Sequence, residues 1–209
     1  MHLLHIVSSP RKERSASRQL ADSFIGRWLT KHPGSEVDTL NVWEMDLLPF
    51  DGAALEAKYV SLAGGSMNSE QAAVWKQIGD LGKRFHAANV IVFSVPMWNF
   101  GIPYRLKHLI DVVSQKGVLF TFDERGLLGM LGGRKVVVAA ACGVAWGEDY
   151  PLTDFDHQIA YLRTWARMCG IPDSDFHSIL TARTLGGSEA DKASRQKAAE
   201  EASVLVDNL

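Results

Sequence analysis

Short β-rich apolar runs alternate along this chain with longer segments of helical period, and that alternation restricts the fold more than any other feature. A strand that is apolar on both faces must be covered on both, and helices placed between successive strands are the crossovers that cover them. The apolar runs fall at residues 3–7, 36–42, 90–95, 135–141 and 176–181. Helical periods fall at 17–32, where Leu20, Phe24, Trp28 and Leu29 recur at three- or four-residue spacing, and at 69–85, where Val74, Ile78, Leu81 and Phe85 share one face. Further helical stretches occupy 104–114, 155–168 and 188–206. Five strands and five main helices predict an α/β protein with a parallel sheet, residues 1–209 forming one domain.

Right-handed crossovers among five strands favour the order 2-1-3-4-5, the flavodoxin-like winding. Residues 43–68 hold Pro49, Gly52, Gly64 and Gly65 around a short helix at 53–62 and predict a long excursion over one end of the sheet. The β-rich run 119–122 predicts a short hairpin with the residues before Gly126.

Charge removes several partners. Lys and Arg total 22 against 24 Asp and Glu, a formal net charge of -2, whereas nucleic acid or an anionic membrane calls for a basic excess on one face. The two cysteines, Cys142 and Cys169, have neither CxxC nor Cys/His ligand spacing and do not form a disulfide framework, which fits a reducing cytoplasmic setting. The seven histidines show no metal spacing. MHLLHIVSSP lacks the pattern of a signal peptide, and the longest apolar stretch, 136–146, is about half of the roughly 20 residues that span a bilayer. A small ligand is the expected partner.

In such a sheet ligands bind beyond the carboxyl ends of the strands where the winding reverses, so the loops to read are SSPRKERSAS, PMWNFGIP and ACGVAWGEDYP. The first combines serines at 8, 9, 15 and 17 with Arg11, Lys12 and Arg14 just before a helix. Hydroxyls, free N–H groups and the positive end of the helix dipole make an anion site suited to a phosphate monoester. The alternative is that Ser15 or Ser17 caps the helix and the bases are solvated. The second loop sets Trp98 and Phe100 beside Met97 and Asn99, directly after a buried strand. A planar apolar ligand explains them; a loop covering the sheet end or contacting another subunit is the competing reading. There is no GxGxxG, GxxxxGK[ST], HExxH or GxSxG. A phosphate tail and a flat polycyclic head together describe FMN.

SSPRKERSAS after the first strand, PMWNF, LKHLIDVVSQKGVLFTF and GLLGMLGGRKVVV occur in order over nearly the whole chain. In these stretches the sequence resembles the FMN-dependent NADH:quinone oxidoreductases, also called azoreductases, of the flavodoxin-like superfamily. The resemblance implies that Ser9, Ser15, Ala16 and Ser17 hold the FMN phosphate and that Met97, Trp98, Asn99 and Phe100 wrap the isoalloxazine. It implies a third contact from Ala141, Cys142, Gly143 and Val144, where the family has a Ser-Arg-Gly-Gly-like stretch and only the first glycine matches. It further implies a homodimer with aromatics of both chains lidding each site, Phe120 and Phe122 being the candidates here; core packing of the hairpin is the alternative for each. Lys107 and Asp111 are expected to form only an i,i+4 ion pair.

The implied reaction is a two-electron ping-pong transfer from NADH or NADPH through FMN to a quinone or aromatic azo compound, the flavin carrying the hydride and no protein side chain acting as catalyst. A flavodoxin-type electron carrier is the competing class, disfavoured by the near-neutral charge and by the 43–68 excursion. A related NADPH-dependent FMN or chromate-type reductase, or a flavin-free interaction module on the same fold, are further alternatives.

Overall fold

The strands at the centre of the molecule are built from residues that have no polar face. In the computed structural model, which describes residues 1–147 and 150–209, β3 (Val90–Pro96) and β6 (Lys135–Ala141) are buried along almost their whole length. With β1 (His2–Val7), β2 (Glu36–Asn41) and β7 (Phe176–Thr181) they form a parallel sheet in the order β2-β1-β3-β6-β7. Counting the strands of this sheet alone, that is the expected 2-1-3-4-5 winding.

The two faces have separate cores. Leu3, Val90, Val92, Val137 and Ile179 point to α1 (Ala16–Lys31) and α7 (Ser188–Asn208), where Phe24, Trp28, Ala198 and Val206 meet them. Leu4, Ile6, Ile91, Phe93 and Val138 point the other way, to α3 (Ser69–Ala87), α4 (Tyr104–Val113) and α6 (Ile159–Met168). The strict alternation along each strand divides the two sets, because a one-residue slip would exchange them. Trp28 meets His32 at 3.9 Å, stacked, where α1 ends.

Local chemistry starts the helices. The Ser15 hydroxyl accepts the Arg18 N–H and so caps α1, and Asn68 with Gln71 forms a reciprocal capping box at α3. Within the excursion, Asp51 caps α2 (Gly52–Leu62).

Two sequence expectations shift. The hairpin pairs β4 (Phe120–Asp123) with β5 (Gly126–Gly129), so its second strand begins at Gly126 instead of ending there. Gly126 has φ 99°, the left-handed backbone that a tight turn needs, which makes it part of the turn-to-strand junction. The helix expected at 155–168 is broken. α5 (Leu152–Phe155) stops, and the Asp156 carboxylate accepts the N–H groups of Gln158 and Ile159 to begin α6. The break frees the Gln158 amide to donate to the Val95 carbonyl at 2.9 Å and the His157 N–H to donate to Phe100 at 3.0 Å. Glu148 and Asp149, in the third loop, lie outside the described residues.

Candidate functional site

The registers bring three loops side by side. Val7 pairs with Ser94, and Pro96 with Ala141, so β1, β3 and β6 end next to one another at the point where the chain reverses its winding. Hydrogen bonds tie the loops together: Ser8 donates its N–H and its hydroxyl to the Ser94 carbonyl, and the Met97 N–H donates to the Ala141 carbonyl at 2.7 Å.

The first loop makes a cradle. Ser9, Ser15 and Ser17 are buried, and the Ser15 and Ser17 hydroxyls lie 3.1 Å apart. The N–H groups of Ala16 and Ser17 open a helix of 16 residues and have no acceptor among the described residues. Buried hydroxyls beside free N–H groups at the positive end of a long helix fit a phosphate monoester. Ser15 both caps the helix and faces the cradle, so the capping and ligand readings of that residue coexist. Arg11, Lys12 and Arg14 are exposed on the rim.

The second loop is a tight turn. Trp98 and Gly101 exchange both backbone hydrogen bonds, at 3.0 and 2.9 Å, across Asn99 and Phe100, whose φ angles are 48° and 65°. This is the mirror-image turn of a two-residue hairpin. Asparagine tolerates it and phenylalanine does not, so Phe100 stores strain of about 1 kcal/mol or more. The ring of Phe155 at 4.9 Å and the His157 N–H on the Phe100 carbonyl hold it there. The result leaves Trp98 and Asn99 exposed beside the half-buried Met97 and Phe100.

Trp43, at the start of the 43–68 excursion, belongs to this arrangement. Its indole N–H donates to the Ser8 carbonyl at 3.0 Å, and its ring meets Trp98 at 5.8 Å and Tyr104 at 5.5 Å. A tryptophan placed immediately after the second strand was the available signal. Behind the loops, the Ser94 hydroxyl donates to the Ile6 carbonyl and takes the His5 ring nitrogen at 3.1 Å. Burial, aided by the Arg18 charge, lowers the His5 imidazole to about 4 and keeps it neutral.

In the third loop Ala141 and Cys142 are buried, and Gly143 and Val144 are half-buried. Burial pushes the Cys142 thiol up, and the sulfur is a protonated thiol that donates to the Val144 carbonyl at 3.4 Å. None of the four side chains is a strong donor. The indole nitrogen of Trp146, a little further on, is buried without a partner among the described residues.

Phe120 and Phe122 are not brought to these loops within one chain. They meet each other edge to face at 5.4 Å on a hairpin rooted at the opposite, amino-terminal end of the sheet, where His86 at the end of α3 bonds the Val118 carbonyl and Leu131 donates to Cys169. Lys107 and Asp111 form the expected ion pair at 2.6 Å. They line a separate cleft of about 920 Å³ between α4 and α6, which shares Trp98 and Asn99 with the loops but none of the serines. Among the described residues no group of His, Cys, Asp or Glu has the geometry of a metal site.

Residues 1–206 match the model of the Flavodoxin_2 family, described by its flavodoxin-like fold. The chain belongs to this family. It is 59% identical over 206 residues to FMN-dependent NADH:quinone oxidoreductase 2 of Pseudomonas syringae pv. tomato, covering 99% of this chain and 98% of that protein. A second relative, FMN-dependent NADH:quinone oxidoreductase 3 of Pseudomonas fluorescens, is 41% identical over 99% of this chain and 96% of its own length. Among solved structures, azoreductase from Bacillus anthracis str. Sterne superposes with a TM-score of 0.89 at 20% identity over 100% of both chains. An FMN-dependent NADH-azoreductase of Bacillus anthracis str. Ames Ancestor, in complex with FMN, gives 0.84 at 23% identity, with 99% of this chain and 100% of that one covered. At those identities the two structures speak for the fold of this family member.

Proposed function

We propose that this protein is an FMN-dependent NADH:quinone oxidoreductase that also reduces aromatic azo compounds, with residues 1–209 acting as one FMN-binding domain. The observation that carries the reading is the coincidence, at the reversal of the sheet, of a buried serine and N–H cradle with an exposed aromatic turn. Near identity of length and 59% identity to a protein of that name support it.

Ser9, Ser15 and Ser17, with the N–H groups of Ala16 and Ser17, hold the phosphate. Neutral donors aided by a helix dipole suffice for a dianion that is also reached by the rim bases. Met97, Trp98, Asn99 and Phe100 seat the ring, the strained turn holding the indole in place before any ligand arrives. Ala141, Cys142, Gly143 and Val144 meet its polar edge through main-chain groups, since their side chains offer little. FMN held there would supply the hydride and two-electron chemistry that links NADH to the acceptor. The chain positions the reactants, and protons for the reduced acceptor come from solvent.

Two copies of the chain complete the site. The support is the placement of Phe120 and the half-exposed Phe122 at the far end of the molecule from the cradle, together with exposed Trp98, Tyr104 and Leu127. Such apolar exposure calls for a partner surface, and the hairpin can lid only another copy's site. Two buried free thiols accord with a cytoplasmic protein, and no helix among the described residues is long and apolar enough to cross a membrane.

The test is reconstitution. The purified protein with FMN is yellow and oxidises NADH when a benzoquinone or an azo dye is added. Colour without turnover would make it an electron carrier, and no flavin binding would end the proposal. Replacing Ser15 and Ser17 together by Ala weakens FMN binding roughly 10-fold or more, through lost hydrogen bonds to a charged group.

A further inference from the structure

The loop that follows β7, residues 182–187, lies along the third loop and takes its carbonyl groups. Thr184 donates both its N–H, at 3.2 Å, and its hydroxyl, at 3.0 Å, to the Cys142 carbonyl. The Arg183 N–H donates to the Val144 carbonyl at 3.1 Å, and the Leu185 N–H reaches Gly143 at 3.4 Å. Arg183 adopts φ 60° to make this turn, a conformation that costs a non-glycine residue energy and is kept only where its surroundings enforce it. A Cβ at Gly143 would stand 2.6 Å from the tip of the Leu185 side chain, which is exposed and free to turn aside, so the strap holds this loop through its backbone and the Thr184 hydroxyl.

A trans peptide points its C=O and the following N–H in opposite directions. With the Cys142 and Val144 carbonyls held by the strap, the N–H groups of Gly143 and Ala145 face away from it. β6 lies between β7 and β3, so the side away from the strap is the side of the 97–100 turn. Neither N–H has an acceptor among the described residues. The donors that this loop's side chains lack are thereby supplied by its backbone.

We propose that Thr184, with Arg183 and Leu185, is a positioning element that aims the Gly143 and Ala145 N–H groups at the polar edge of the bound flavin ring. The proposal rests on the FMN reading above and deepens it. Main-chain donors preoriented in this way favour the anionic reduced ring, so the strap acts on the reduction potential as well as on affinity.

The test compares wild type, Thr184→Val and Thr184→Ser by titrating the flavin-free protein with FMN and with riboflavin, and by measuring the midpoint potential of the bound flavin. Loss of one hydroxyl hydrogen bond weakens FMN and riboflavin by the same factor, roughly two- to tenfold, and lowers the potential; Thr184→Ser restores both. A phosphate-cradle variant, by contrast, loses FMN and spares riboflavin. Amide exchange gives a readout that needs no turnover: in the flavin-free chain the Arg183 and Thr184 amides exchange slowly and those of Gly143 and Ala145 quickly, and FMN protects the latter pair. Unchanged affinity and potential in Thr184→Val, or slow exchange at Gly143 and Ala145 without flavin, overturns the proposal. Absence of any flavin binding by the wild type refutes the function instead, and the flavin-free exchange pattern still decides the strap.

Discussion

Phe100 is held in a conformation that its own side chain resists, and this inverts the usual ranking of small substitutions. Alanine at that position keeps the left-handed strain and loses the contact with Phe155, whereas glycine loses the same contact and relieves the strain. Phe100→Gly is therefore expected to be about 1 kcal/mol more stable than Phe100→Ala in urea unfolding; equal stabilities would mean that the turn is not strained. His5 carries a second residue-scale consequence. Its imidazole sits at about 4 in the fold against 6.5 when exposed, so the unfolded chain binds the proton more readily. The stability this adds is whole above 6.5 and is lost as pH falls toward 4, about 3 kcal/mol over the window. Urea midpoints of wild type and His5→Gln, compared near pH 7 and near pH 4.5, should show the smaller acid loss in the variant. The serines of the cradle were legible in the sequence because they stand within one loop before a helix. His5 was not, since its neutrality depends on burial under residues distant in the chain.

At the scale of elements, the hairpin and the end of α6 cross with no room between them. A Cβ on Gly129 would fall 1.9 Å from the Gly170 backbone nitrogen, and Gly170 itself has φ 88°. The obstructing atoms are main chain and cannot swing aside. Gly129→Ala should cost several kcal/mol and lower the melting temperature markedly, while Gly132→Ala, whose nearest neighbour is 3.6 Å away, should be tolerated. Comparable melting temperatures for the two variants would contradict this packing. Neither glycine differs from an ordinary turn glycine in sequence. The same holds for the interruption between α5 and α6: the apolar period runs on through residues 155–168, and only the Asp156 cap and the pull of Gln158 on β3 divide it. Where periodicity was clear and uninterrupted, as in α1, α3 and the five sheet strands, the elements appear within a residue or two of their expected limits.

For the whole molecule, the cradle and the Phe120–Phe122 hairpin lie at opposite ends of the sheet, so a site lidded by those rings needs a second chain. Activity should fall on dilution below the dimer dissociation constant, measured alongside the sedimentation profile; a fully active monomer would remove the dimer from the mechanism. The strand order, the placing of helices on both faces and the position of the three loops at the reversal of the winding can be read from the sequence alone. Those follow from periodicity, turn residues and crossover handedness, all of which act over a few residues or through general rules of chain path. Long-range contacts in the fold add that Trp43 bonds the Ser8 carbonyl, that Thr184 bonds the Cys142 carbonyl, that the hairpin begins its second strand at Gly126 and that His5 stays neutral. Each of these depends on groups that are far apart along the chain and close in space, and a one-dimensional pattern carries no record of which distant partner will satisfy a buried hydrogen bond.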